Sequence, residues 1–229
     1  MDSDTPAADN AALTPAQRLR ARLSDGKGRL FVIIAVLVIW VMDTLLSRHL
    51  TSSGIVQGQG AVIVDWLESA STVIFVVTSV LLIVAILKPL PHLLFKFAAI
   101  YLTFSAIQVV ANVLTMVSTA HLREGYGLGS LWDVAAVYAM SVTVFTFIYV
   151  LFDVTTPGGA FVWPARDGED PPTPNLWDYL FISLNVNSTY GPTSEAVMSR
   201  GVKLVMSGQV LLAILMLTVL ISRAVAATS

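Results

Sequence analysis

Five stretches of this chain run for about 17–24 residues with almost no charge. They are 30–46, broken only by Asp43, then Ser69 to Leu87, Phe97 to Ala120, Val134 to Phe152, and Leu204 to Ser222. At about 1.5 Å rise per residue, each is long enough as a helix for a hydrocarbon core of about 30 Å. Backbone amides in lipid must pair within their own segment, so the runs are expected to be helices. One such run could be the core helix of a soluble protein, but five in 229 residues could not. Only 12% of the residues are charged, against about 25% in soluble domains. The expected fold is therefore all-α: an integral membrane protein with about five transmembrane helices, plus a short re-entrant or interfacial half-helix before the last one.

Residues 1–29 read as a mostly flexible polar N-terminal tail, with Pro15 to Leu23 able to form a short helix. Residues 30–133 read as a three-helix membrane bundle, and 134–229 as a helix, loop, half-helix, helix module. No small-residue cleavage site follows Met42, so the first run is expected to stay as a span rather than leave as a signal peptide. Basic residues set the orientation. With the N-terminus inside, the cytoplasmic side holds Arg18, Arg20, Arg22, Lys27, Arg29, Lys88, Lys96, Arg166, Arg200 and Lys203, and the outer side Arg48, Arg123 and Arg223. This places the 153–203 connection inside and the C-terminus outside.

Gln108 and Asn112 lie one turn apart in the third run and share a helix face. They serve either as hydrogen-bonding glue between helices or as the lining of a permeation path. Asp43, Asp65, Glu68 and Asp133 sit at span ends, solvated at headgroup level or forming an acidic ring that attracts cations. The chain has no cysteine, which excludes disulfides and thiolate chemistry. His121 and Glu124 do not make a metal site. No phosphate loop and no nucleophile-base arrangement is present. Gly125 to Ser130 resembles a glycine-rich nucleotide loop but follows a membrane helix, not a strand. No enzyme activity and no cofactor are expected, and beyond the N-terminus no basic cluster suits nucleic acid.

The segment before the last run carries the functional lead. Residues 153–175 form a loop too long for a simple connection. Leu176 to Leu184 is apolar, too short to span and too greasy for a loop, with Asn175 or Asp178 available to cap it. The polar run from Asn185 to Thr193 then turns the chain back. The series Asp178-Tyr179-Leu180-Phe181-Ile182-Ser183, a polar turn, and a helix containing Ser207-Gly208-Gln209 resembles the two-helix pore module of potassium-channel-like proteins. The resemblance covers about 134–225. It implies a pore loop of Asn185, Asn187, Ser188, Thr189, Tyr190, Gly191 and Pro192, a hinge at Gly208, and Gln209 as an intramembrane polar group. Those channels coordinate the ion with T-x-G-Y-G carbonyls. Here the matching stretch is Asn187-Ser188-Thr189-Tyr190-Gly191, which keeps only Tyr190-Gly191, so a standard potassium filter is not implied.

The stretch from Asp178 to Val225 also resembles a group of uncharacterised bacterial multi-pass membrane proteins. The shared features are the half-helix, Gly191-Pro192-Thr193-Ser194, Arg200 with Lys203, and Ser222-Arg223-Ala224-Val225. That resemblance implies a bacterial inner-membrane location. The expected partners are the lipid bilayer, further copies of the chain and, on the pore reading, inorganic cations. The alternative is a non-conducting scaffold that docks a partner through the 153–203 connection. Topology divides the two, because potassium-channel pore loops face outward and four runs precede this one.

Overall fold

The computed structural model describes residues 13–52, scattered positions between 66 and 84, and residues 91–119, 129–165, 169–190 and 195–226. The chain starts with α1 (Pro15–Ser24). Thr14 and Gln17 cap each other reciprocally, and Pro15 occupies the first turn, where a missing N–H costs nothing. α1 buries Ala16 and Leu23, so the second half of the expected tail is ordered. Asp25 joins α1 to α2 (Gly26–Ser52) in a tight corner. Only glycine fits at position 28, because a Cβ there would lie 2.1 Å from the Arg22 carbonyl oxygen.

Three further long helices follow: α3 (Pro91–Thr119), α4 (Gly129–Thr155) and α6 (Arg200–Ala226). With α2 they make four helices long and apolar enough to cross a membrane among the described residues. The second apolar run lies largely outside the described residues, although its described positions are helical. α3 opens on Pro91, a residue that ends an apolar run and starts a helix with equal ease. α4 is central, with 61% of its spanning window buried against 28% for α2.

The helix directions follow from the contacts. Phe31 of α2 meets Phe147 of α4 with ring centroids 6.2 Å apart. An apolar void is shared by Val32 and Val36 of α2, Ala98 and Leu102 of α3, and Val150 and Val154 of α4. The starts of α2 and α3 are therefore level with the end of α4, so α2 and α3 run parallel and α4 runs against them. α6 also opposes α4: its start at Gly201 faces Phe152, while Ala213 and Leu217 border a cavity with Val134 and Tyr138. Two short elements complete the fold, β1 (Phe161–Val162) and β2 (Ala196–Val197), paired antiparallel with Phe161 opposite Val197.

These contacts gather one end of the molecule. Arg18 of α1 donates to the carbonyl of Pro171, and the Arg20 guanidinium lies 5.5 Å from the Phe95 ring centre. The N-terminal helix, the start of α3, the 156–175 connection and the start of α6 thus share one face of the bundle. Polar groups also tie α2 to α3. Gln108 Nε2 donates to Asp43 Oδ2 at 2.6 Å, and Tyr101 donates to the Val36 carbonyl at 3.2 Å. Asn112 faces α4 instead, with Nδ2 at 4.0 Å from Met140 Sδ. Asp43 and Asp133 are each 2% exposed, so they sit within the bundle and not on a solvated rim. Asp65 and Glu68 lie outside the described residues.

Candidate functional site

The apolar run after the long connection forms α5 (Leu176–Asn187). Asn175 accepts from the Trp177 N–H at 2.8 Å, and Asp178 accepts from the Asn175 N–H at 2.7 Å. Both residues read as caps therefore act together in one capping box. Tyr179, Ile182, Ser183, Val186 and Asn187 are buried, at helical spacing. Trp177, Phe181 and Leu184 form the opposite, exposed stripe.

The base of α5 is fixed by Asp153. This residue closes α4 and is fully buried, whereas the sequence reading placed it at the head of a loop. Its Oδ1 accepts from the N–H groups of Ala160 at 2.6 Å and Phe161 at 3.1 Å. Its Oδ2 accepts from Trp163 Nε1 at 3.3 Å and from the Tyr179 hydroxyl at 2.6 Å. Gly158 and Gly159, at φ +80° and +94°, make the turn that brings 160–163 back over the carboxyl group. Phe161, Trp163 and Tyr179 enclose it, with ring centroids 5.3–6.0 Å apart. Four donors on one buried carboxyl replace the water it has lost.

A second polar hub holds α5 further along. Gln209 of α6 is fully buried. Its Oε1 accepts from the Tyr149 hydroxyl. Its Nε2 donates to Ser183 Oγ at 3.0 Å, to the Ser183 carbonyl at 3.2 Å and to Asn187 Oδ1 at 3.4 Å. Ser183 Oγ donates in turn to the Val142 carbonyl at 2.9 Å. Ser183 and Asn187 are four residues apart, and so present one face of α5 to α4 and α6. The Nδ2 atoms of Asn185 and Asn187 are buried and find no hydrogen-bond partner.

Past Asn187 the chain turns. Ser188 closes the helix by donating from N and Oγ to the Leu184 carbonyl, at 2.9 and 2.8 Å. Thr189 takes φ +66°, and Tyr190 N donates to the Asn185 carbonyl at 2.9 Å. Ser188, Thr189 and Tyr190 are exposed, Tyr190 at 81%. A cavity of about 280 Å³ lies where Asn187, Ser188 and Thr189 meet Val134 and Tyr138 of α4 and Met216 of α6. Gly191 and Pro192 lie outside the described residues.

Of the residues singled out from sequence, Asn185 to Tyr190 thus gather at the end of α5, and Gln209 joins Asn187 directly. Gln108 and Asn112 are not part of this group; they bind α2 and α4. Gly208 is exposed, with open space where a side chain would be, and borders an apolar groove of about 690 Å³ with residues of α3 and α4. Sequence reasoning missed Asp153, Tyr149 and Trp163. A carboxylate in the last turn of an uncharged run was the available signal for Asp153. Tyr149 and Trp163 gave none, since isolated aromatics are common in such chains. Comparison with known proteins gives no match to a family model, a curated protein or a solved structure.

Proposed function

We propose that the chain is a five-span protein that assembles from several copies in a bacterial inner membrane. In this reading α5 is a re-entrant half-helix, and the turn from Asn185 to Pro192 borders an ion-channel-like pore without a standard potassium filter. Two parallel spans need a return crossing between them, which supports a fifth span between α2 and α3. The shared basic face, with Arg20, Lys27, Lys96 and Lys203, supports a cytoplasmic N-terminus.

One observation carries the pore reading. Twelve residues of helix reach about 18 Å from the Asp153 end of α4 toward its start. There the chain leaves helical geometry at Ser188, Thr189 and Tyr190, all exposed in the single chain. Irregular backbone cannot face lipid; at such depth it is covered by protein or lines water. The chain then returns to the same end, since Ala196 pairs with Val162; the six links from Tyr190 to Ala196 reach about 20 Å. An assembly that places these turns around one axis satisfies both demands. On this topology α5 enters from the N-terminal side, opposite to the pore loops of potassium channels, so no selectivity is carried over.

The test is cation flux from the purified full chain in liposomes. Flux that Tyr190→Ala alters supports the reading. Correctly inserted protein that passes no small cation refutes it. A non-conducting scaffold is favoured by a different observation: the polar face of α5 is consumed inside the subunit, while Trp177, Phe181 and Leu184 are left exposed. Recovery of one stoichiometric partner without flux would support that second reading.

A further inference from the structure

We propose that the groove bordered by α3, α4 and α6 holds one acyl chain of an anionic phospholipid, with the phosphate at Lys96 and Arg200. The groove measures about 690 Å³, and its lining is apolar except for Thr103 and Thr155. Along α3 the lining runs from Ala99 to Val110, and along α4 from Phe145 to Thr155, which is about 15–16 Å at the helical rise. That is about half of a hydrocarbon core of about 30 Å, the depth of one leaflet. An acyl chain anchored at one membrane surface therefore fills the groove from end to end. Gly208 leaves open space where a side chain would stand, and Leu211 is 64% exposed, so the groove opens outward from the bundle.

Charge at one mouth of the groove selects the head group. α3 and α6 both run against α4, so both begin at the end where α4 finishes. Lys96, Ala99, Thr103, Ala106 and Val110 recur every three or four residues and so share one face of α3. Arg200, Leu204, Gly208 and Leu211 do the same on α6. Lys96 and Arg200 are both exposed, and each stands within two turns of the apolar lining, at the level where a phosphate would lie. Lys203, also exposed, adds a third positive charge on α6. α3 and α6 contain no Asp or Glu. On α4, Asp153 is buried under four donors, and Asp133 lies at the opposite end. The acidic side chains of these three helices therefore leave the positive mouth unopposed. A second copy oriented alike in the bilayer would bring its own Lys96 and Arg200 to the same level, and like charges repel. An anionic head group is attracted instead.

Native mass spectrometry of the full chain in detergent micelles tests the inference, with dipalmitoyl phosphatidylglycerol and dipalmitoyl phosphatidylcholine as titrants. The two lipids have the same tails and differ in net charge. Saturable retention of phosphatidylglycerol is expected, about 25-fold tighter than phosphatidylcholine, from about fivefold for each of two basic residues near the surface. Lys96→Gln and Arg200→Gln should each remove about fivefold, and together they should bring phosphatidylglycerol down to phosphatidylcholine. Gly208→Leu places its side chain in the open groove and should weaken both lipids. None of these changes removes a buried side chain, so the fold is not at stake. Equal affinity for the two lipids, a preference that survives the double change, or unaltered binding to Gly208→Leu would overturn the proposal. So would competition by inorganic phosphate at the affinity of the lipid, which would leave the groove without a tail. A change of subunit number in Gly208→Leu with no loss of lipid would give the groove to a second copy and overturn it too. The groove belongs to one chain, so it does not depend on the pore reading. Lipid preference without ion flux would leave it standing and remove the pore; flux without lipid preference would do the reverse.

Discussion

Gln209→Leu should destabilise the protein more than any other single change to an intramembrane amide. The side chain meets three partners, Tyr149, Ser183 and Asn187. Leucine keeps the volume but removes both the donor and the acceptor. Ser183 suffers little, since its hydroxyl still donates to the Val142 carbonyl. Tyr149 loses its acceptor and Asn187 loses its last partner, so two buried polar side chains are left unmatched. Hydrogen bonds inside membrane proteins average about 0.6 kcal/mol and reach about 1.7; unmatched buried groups cost about 1–3 kcal/mol each. Two such groups give about 2–6 kcal/mol, and the small membrane values place the expected loss at the low end, about 2–3 kcal/mol. Asn112→Leu is the control. The Asn112 amide nitrogen lies 4.0 Å from the Met140 thioether, a weak acceptor, so its loss should cost under about 0.5 kcal/mol. Reversible unfolding in mixed micelles measures both variants. If Gln209→Leu is no less stable than Asn112→Leu, the hub does not hold α5 and the reasoning fails.

Other consequences can be measured independently. Asp153→Asn replaces an acceptor oxygen by a donor facing Trp163 Nε1 and the Tyr179 hydroxyl, or else the Ala160 and Phe161 amides; a loss of about 2–4 kcal/mol is expected. A double-mutant cycle with Tyr179→Phe should show coupling above about 0.5 kcal/mol. Gly28→Ala forces a Cβ against the Arg22 carbonyl, so α1 should lift from the bundle, and trypsin should cut at Arg20 and Arg22 faster than in the parent. Topology reporters near Gly168 and fused at Ser229 should fall on opposite sides of the membrane, with Gly168 on the side of the N-terminus; the same side for both would break the span count.

Four of the five runs were legible as long apolar helices because they obey a rule that needs no partner: a run of apolar residues long enough for the bilayer must satisfy its own backbone. The start of α5 was legible for the same kind of local reason, since Asn175 and Asp178 cap a helix whatever surrounds it. Its end was not, because α5 runs on to Asn187, into the polar stretch expected to turn, where Asn187 is held by Gln209 of a distant helix. What was not legible depends on distance in sequence. Tyr179 reads as an interface residue by type, yet it is buried, with its hydroxyl donating a hydrogen bond to Asp153, twenty-six positions earlier. Gln209 reads as a polar residue near a glycine, and its partners lie 22 to 60 positions away. Asp43 reads as a span-end acid open to solvent, and only the packing of α2 on α3 brings Gln108 to it. Gln108 and Asn112 share a face by periodicity, but no periodicity could divide that face between α2 and α4.

The two hubs also explain how one short helix can be half polar and still sit among apolar spans. A helix of twelve residues is marginal alone, and three polar side chains on one stripe, Tyr179, Ser183 and Asn187, would disfavour it in lipid. Asp153 takes the hydroxyl of Tyr179 near the first turn, and Gln209 takes Ser183 and Asn187 one and two turns on. Both anchors stand on the long helices α4 and α6, which cannot slide without breaking their own packing. The cost of burying the stripe is thereby transferred to rigid elements, and the opposite stripe of Trp177, Phe181 and Leu184 remains apolar and uncommitted. That stripe, rather than the hubs, is what a second copy or a partner would read. Replacing Phe181, which is 50% exposed, by serine should therefore change assembly with little effect on the fold of the single chain.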